Sequence, residues 1–320
     1  MTNLTLIFEP DSAHDARVYG EGLARALPGH AVVVTSDRTE ALARAPEATI
    51  LVAKAQNVPK ELVAAMPQLG WIQALTTGID PLLALDLPSS VVVTSARGIH
   101  GPQMAELTIL LMLALYRNFP QMLANQREAK WDRWGQRLLA GKTVVIIGVG
   151  TISEALAARC KPFGLKVVGI TSRRDVEHFD ELQPRERLRD VAGRADFLVL
   201  VVPYSPETHH LVDASVLAAM KPGAYLINVA RGNVVDEAAL IEALQSRRIA
   251  GAGLDVFATE PLPPASPLWA LDNVIVTPHI GGMSDVYAEQ ILPVLVHNVR
   301  AYIAGDHAAM LNRIDLRNAR

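Results

Sequence analysis

Three polar side chains stand just past apolar, strand-like runs in the second half of the chain, and their types suit proton transfer and carboxylate binding. Arg231 ends the run Leu226-Ile-Asn-Val-Ala-Arg and precedes Gly232. Glu260 lies in GLDVFATEPLP, which starts at Gly253, and His279 lies in VTPHIGG, which starts at Val276. An arginine can bind a carboxylate and polarise a carbonyl. A histidine can pass a proton near neutral pH, and an adjacent carboxylate orients its ring and favours its protonated form. Open parallel sheets collect their ligands at the C-terminal ends of their strands, so the positions suit the chemistry. Each residue taken alone also has a plainer reading: a capping arginine, a glutamate exposed before a turn, a histidine satisfied by its neighbours.

Upstream, KTVVIIGVGTIS from Lys142 runs from an apolar strand through a glycine turn into a helix. Gly148 permits the tight turn and Gly150 lets backbone approach a pyrophosphate. The first helical N–H groups, at Thr151 and Ile152, would then face the anion. A third small residue lets the helix pack close to the strand; here it is Ser153 instead of glycine. A second strand at 166–170 should end in a carboxylate that bonds the ribose of NAD. That position holds Thr171, followed by Ser172, Arg173 and Arg174. Hydroxyls and two guanidiniums suit a 2′-phosphate, so the sequence predicts NADP(H) preference, with NAD(H) also accepted. The alternative leaves the arginines in solvent and bends Asp175 back to the ribose.

These residues need a sheet to hold them. Short runs rich in β-branched residues at 4–8, 31–35, 49–52 and 91–94 read as buried strands. Further runs follow at 143–147, 166–170, 197–202, 224–229, 253–256 and 274–276. Helical spacing fills the gaps, as at 13–27, 39–45, 154–163, 237–245 and 285–304. Strands separated by helices imply parallel βαβ units, here α/β with two doubly wound parallel-sheet domains. A helix from Pro102 through Met104, Leu107, Leu111 and Leu115 is apolar nearly all round, hence buried, and fits a segment joining the domains. Residues 117–140 then turn polar around Trp131 and Trp134 and read as an exposed arm.

Composition excludes several classes. The 320 residues carry 30 basic and 33 acidic side chains, a formal charge of −3, which gives no electrostatic reason to expect nucleic acid. Half are hydrophobic, which excludes disorder. The most apolar stretch, 107–116, is too short for a membrane span, and no basic segment before an apolar core marks a secretory leader. The single cysteine, Cys160, cannot form an internal disulfide and fits a reducing, cytoplasmic compartment. No His/Cys/Asp cluster has metal-ligand spacing, so no metal is expected. His209 and His210 read as surface residues and His100 as structural.

The combination GKTVVIIGVGTI, PYSPETHHLVD, MKPGAYLINVARGNVVDEAAL, GLDVFATEPLP and TPHIGG resembles the D-isomer-specific 2-hydroxyacid dehydrogenase family, and within it the glyoxylate and hydroxypyruvate reductases. The resemblance implies a Rossmann coenzyme domain at 99–287, inserted in a flavodoxin-like substrate domain of 1–98 completed by 288–320. It implies His279 as acid/base, Glu260 as its partner and Arg231 as the substrate-binding arginine. It assigns Val202, Pro203, Tyr204, Ala230 and Gly281 to the cofactor wall, and Asp255 to the nicotinamide amide region. The turn Leu75-Thr-Thr-Gly-Ile-Asp resembles the family's carboxylate-binding loop, with Thr77 and Gly78 in contact with substrate. Departures are Ser153, Thr171 and the hinge Ser95-Ala-Arg-Gly, where many relatives carry asparagine.

The implied activity is NADPH-dependent reduction of a small 2-oxo acid, glyoxylate or hydroxypyruvate, by a homodimer. A larger aliphatic or aromatic oxo acid is the alternative substrate. A dinucleotide-sensing binding protein without turnover is the alternative class. Glu260 stands where formate dehydrogenases place glutamine, and phosphite oxidation is a minor alternative. Phosphoglycerate dehydrogenases often add a regulatory domain, for which a chain ending at Arg320 leaves no room. Trp131 and Trp134 read as a dimer contact, or as part of a neighbour's substrate pocket.

Overall fold

Strands covered by helices on both faces need no polar side, and the apolar runs of this chain become such strands. The computed structural model describes residues 3–316. The chain divides into two units, Met1–Ile99 with Ser284–Arg320, and His100–Met283. Residues 99 and 284–287, read from the sequence with the coenzyme domain, fall in the first unit.

The first unit holds five parallel strands: β1 (Leu4–Phe8), β2 (Ala31–Thr35), β3 (Ile50–Ala53), β4 (Trp71–Ala74) and β5 (Val92–Thr94). Their order, β2-β1-β3-β4-β5, is the flavodoxin-like one. Helix Ala13–Ala26 starts on Ser12, whose hydroxyl accepts from the Asp15 amide at 3.1 Å. The chain's last long helix, Tyr287–Ile303, packs on it, burying Ile291, Leu295 and Val299 with Tyr19, Leu23 and Trp71. β4 was not anticipated from the sequence, because Gln73 interrupts its apolar run. The structure buries Gln73 fully, its carbonyl oxygen accepting from the Thr94 hydroxyl at 2.8 Å and from Asn298 at 2.9 Å.

The second unit holds seven parallel strands: β6 (Thr143–Ile147), β7 (Lys166–Ile170), β8 (Glu181–Gln183), β9 (Phe197–Leu200), β10 (Tyr225–Asn228), β11 (Gly251–Leu254) and β12 (Val274–Val276). Their order is β12-β11-β10-β9-β6-β7-β8, a Rossmann sheet with one added strand. Short, polar β8 was also not anticipated. Helices Gly101–Tyr116 and Thr151–Cys160 cover one face, approaching so closely that a Cβ on Gly101 would lie 3.1 Å from that of Ala155. Helices Leu188–Ala192, Ala214–Ala219 and Glu237–Gln245 cover the other. The last two start on Asp213 and Asp236, whose carboxylates accept from the amides three residues on, at 2.9 and 3.1 Å.

The expected arm contains a helix, Phe119–Arg127, that the sequence reading left out. Beyond it, residues 130–139 have no regular structure, and Trp131 is 93% exposed. Among the described residues no single helix is long and apolar enough to cross a membrane.

Candidate active site

The candidate residues converge on the C-terminal ends of three neighbouring strands, β10, β11 and β12. Past β10, Asn228 ties the turn down: its side chain accepts from the Ala230 amide at 3.0 Å and donates to the Arg231 carbonyl at 3.0 Å. Arg231 donates to the Ala230 carbonyl at 2.7 Å. Gly232 then passes so close to the next loop that a Cβ would lie 1.9 Å from the Phe257 carbonyl carbon, and only glycine fits. Past β11, Glu260 accepts the Phe257 amide at 3.0 Å with one oxygen and faces His279 Nδ1 at 2.6 Å with the other.

This pairing fixes the electrostatics. Burial pushes the Glu260 carboxyl up, but the hydrogen bonds from His279 and the Phe257 amide, with the charges of His279 and Arg231, hold it below its ordinary value. Glu260 is therefore an anion at neutral pH, and its contact with Nδ1 keeps a proton on that nitrogen and leaves Nε2 for a ligand. The His279 side chain is 45% exposed, so the ring is accessible.

His279 has φ 53°, a left-handed backbone uncommon for a residue with a side chain. Asp255, 1% exposed, holds the loop in that shape. One of its oxygens accepts from the Thr277 hydroxyl at 2.6 Å and the Ile280 amide at 3.0 Å; the other accepts from the Gly281 amide at 2.9 Å. The resemblance placed Asp255 beside the nicotinamide. The structure gives it these further partners and makes it the clamp of the histidine loop, a role legible only as a carboxylate inside an apolar strand.

At β6 the sheet order reverses, and the glycine turn sits there. Gly148 has φ +89°, and a Cβ on it would lie 2.8 Å from Val202 Cα, so the turn needs glycine twice over. Gly150 precedes helix Thr151–Cys160, and nothing lies within 4 Å of where its Cβ would be. That open space over a helix N-terminus, with the Thr151 and Ile152 amides in the first turn, fits a pyrophosphate. Ser153 is buried, and its hydroxyl donates to the Gly148 carbonyl at 2.5 Å, bracing the turn from the third-glycine position.

Past β7, Thr171, Ser172, Arg173 and Arg174 line a cavity of about 440 Å³ with Leu182, Gln183 and Pro184. The Thr171 hydroxyl accepts the Arg173 amide at 3.1 Å, and the Arg173 guanidinium pairs with Glu154 at 2.5 Å. No carboxylate lines this cavity; Glu154, on the helix, pairs with Arg173, one of its lining residues. Asp175 is exposed.

Residues 109–281 match the family model described as D-isomer specific 2-hydroxyacid dehydrogenase, NAD binding domain. The chain belongs to the D-isomer specific 2-hydroxyacid dehydrogenase family. It is 34% identical over 274 residues to a D-3-phosphoglycerate dehydrogenase of Methanocaldococcus jannaschii, covering 81% of this chain and 52% of that one. It thus spans about half the length of that relative. It is 34% identical over 262 residues to a glyoxylate reductase of Thermofilum pendens, covering 78% of this chain and 76% of that one. A D-isomer specific 2-hydroxyacid dehydrogenase from Xanthobacter autotrophicus Py2, solved in complex with NADPH and MES, superposes with a TM-score of 0.83 at 32% identity, over all of both chains.

The other residues singled out in this family member are placed as follows. Val202 backs the Gly148 turn, Pro203 and Tyr204 are exposed beyond it, and Ala230 is buried beside Arg231. A Cβ on Gly281 would meet the Asp255 carboxylate at 2.9 Å. In the first unit the Thr76 hydroxyl donates to the Gly78 carbonyl at 2.7 Å, shaping the turn that carries Thr77. His209 and His210 are exposed and stacked on each other at 3.9 Å, and His100 is buried at the start of helix Gly101–Tyr116. Trp131 is exposed and Trp134 half-buried. Among the described residues no group of three His, Cys, Asp or Glu side chains could hold a metal. Asn228 and Glu154 were not anticipated; a polar residue inside an apolar strand was the available signal for the first, and the second had none.

Proposed function

We propose that this protein reduces a small 2-oxo acid, glyoxylate or hydroxypyruvate, to the 2-hydroxy acid with NADPH, and that His279 is the acid. The observation that carries the reading is the 2.6 Å contact between Glu260 and His279 Nδ1, on a loop that Asp255 locks in place. The cofactor, when bound, supplies a hydride to the carbonyl carbon. His279 Nε2 delivers a proton to the carbonyl oxygen, and Glu260 stabilises the ring while it is charged. The Arg231 guanidinium holds the substrate carboxylate and polarises the carbonyl. We assign the substrate-binding role to the first unit, and carboxylate binding to its turn carrying Thr77 and Gly78.

Gly148, Gly150 and the amides of Thr151 and Ile152 hold the pyrophosphate, and Ser172, Arg173 and Arg174 the 2′-phosphate. Val202, Pro203, Ala230, Asp255 and Gly281 complete the wall of the coenzyme unit, His100–Met283. Exposed apolar surface on Phe119, Leu123, Trp131 and Leu138 supports a homodimer through the 117–140 arm. The lone, buried Cys160 supports a cytoplasmic location.

The test is a panel of glyoxylate, hydroxypyruvate, pyruvate, phenylpyruvate and 3-phosphoglycerate, with NADPH, NADH or their oxidised forms. Highest kcat/KM for glyoxylate or hydroxypyruvate with NADPH is expected. Preference for phenylpyruvate would move the substrate to the larger oxo acids. Tight NADPH binding without turnover on any of them would make the protein a dinucleotide sensor.

A further inference from the structure

The strand-end position that supplies a ribose-binding carboxylate in NAD sites holds Thr171 here, yet the corner is not without an anion. Glu154, in the first turn of helix Thr151–Cys160, places Oε1 2.5 Å from Arg173 Nη1. The Arg173 backbone is in turn tied to the Thr171 hydroxyl at 3.1 Å. One carboxylate and one guanidinium therefore share a corner where the sequence showed only cations. The Arg173 and Glu154 side chains are 49% and 39% exposed, and an ion pair so exposed is weak and readily exchanged.

We propose that Glu154 is a selector of cofactor, set against Arg173. This rests on the reading that residues 171–174 receive the adenosine ribose. A ribose 2′-hydroxyl can donate to the Glu154 carboxylate while Arg173 remains its counter-ion, so the pair accepts NADH as it stands. A 2′-phosphate instead competes with Glu154 for the same guanidinium and meets a like charge close by. Glu154 thus supports NADH and moderates the preference for NADPH that Arg173 and Arg174 create. The chain keeps both charges, and the balance between them sets the ratio of the two affinities.

Glu154→Gln removes the charge and keeps the shape. By titration calorimetry, the ratio of the NADH to the NADPH dissociation constant should rise about tenfold in this variant, the order expected for one nearby charge in water. Inhibition by 2′,5′-ADP, which needs no turnover, should tighten in parallel. Arg173→Ala, run beside it, should lower the same ratio about tenfold. A ratio changed by less than about twofold in Glu154→Gln, or lowered by it, overturns the selector while Arg173→Ala responds. An unresponsive Arg173→Ala overturns the phosphate site itself, and the selector with it.

Discussion

Past β10 and β11 the groups that shape the loops, Asn228 and Asp255, are buried and bonded more than once, whereas past β7 the Arg173 side chain is half-exposed and held by one ion pair. Asp255 is 1% exposed and takes three donors, and Asn228, 2% exposed, bonds the turn at both Ala230 and Arg231. Arg173, half-exposed, has Glu154. The difference fits the roles proposed for the two corners. Proton transfer requires an atom held to a fraction of an ångström, and that precision comes from buried, fully satisfied hydrogen bonds. Recognition of a phosphate needs charge of the right sign and tolerates movement, so an exposed pair suffices.

Breaking the buried side should cost most. Gly232→Ala forces a methyl against the Phe257 backbone. It should lower the free energy of unfolding by more than about 2 kcal/mol in urea titrations, since neither backbone can yield without disturbing the loops. Next comes Asp255→Asn, nearly isosteric, which sets an amide nitrogen against the Gly281 N–H. The His279 loop should shift and kcat should fall about 100-fold with the fold intact, as for an ångström-scale misplacement; an unchanged kcat would mean that the clamp is not needed.

Glu260→Gln should act more mildly on turnover. Loss of the carboxylate removes the counter-ion that stabilises the ring during proton transfer and should lower reductive kcat/KM about tenfold. The same variant has a consequence for stability. The Glu260 carboxyl lies below its ordinary value in the folded chain, so the pairing stabilises the fold above the usual carboxylate range. That contribution is lost as pH falls through the lowered value, and Glu260→Gln should flatten this acid limb in thermal melts.

The smallest effects are expected at single hydrogen bonds and unused groups. Ser153→Ala removes only the bond to the Gly148 carbonyl and should cost about 1 kcal/mol of stability, with NADPH affinity changed less than about threefold. Burial pushes the Cys160 thiol up to about 12, so a thiol reagent should label it only on unfolding.

How much of this was legible in the sequence follows the same division. Apolar runs located ten of the twelve strands, because strands buried on both faces carry nothing else. β4 was hidden by Gln73, whose partners Thr94 and Asn298 lie 21 and 225 residues away. Helix Phe119–Arg127 was hidden because it is short and buries only Asn125, so no core-facing apolar stripe marks it. At the site, residue types and strand-end positions singled out Arg231, Glu260 and His279. The bonds of Asp255 with the loop of β12 could not be read, since they depend on two strands lying side by side. Ser153 was read as a weakened glycine, and its hydroxyl proves to brace the turn.

The central claim is that His279 supplies the proton and leaves cofactor binding to other residues. It is tested most directly by measuring, in one His279→Ala preparation, both the NADPH dissociation constant and turnover of glyoxylate and hydroxypyruvate. The account predicts a dissociation constant within about twofold of the parent and a kcat at least about 100-fold lower, the least expected for loss of a general acid. Turnover near the parental rate, with NADPH still bound, would contradict it.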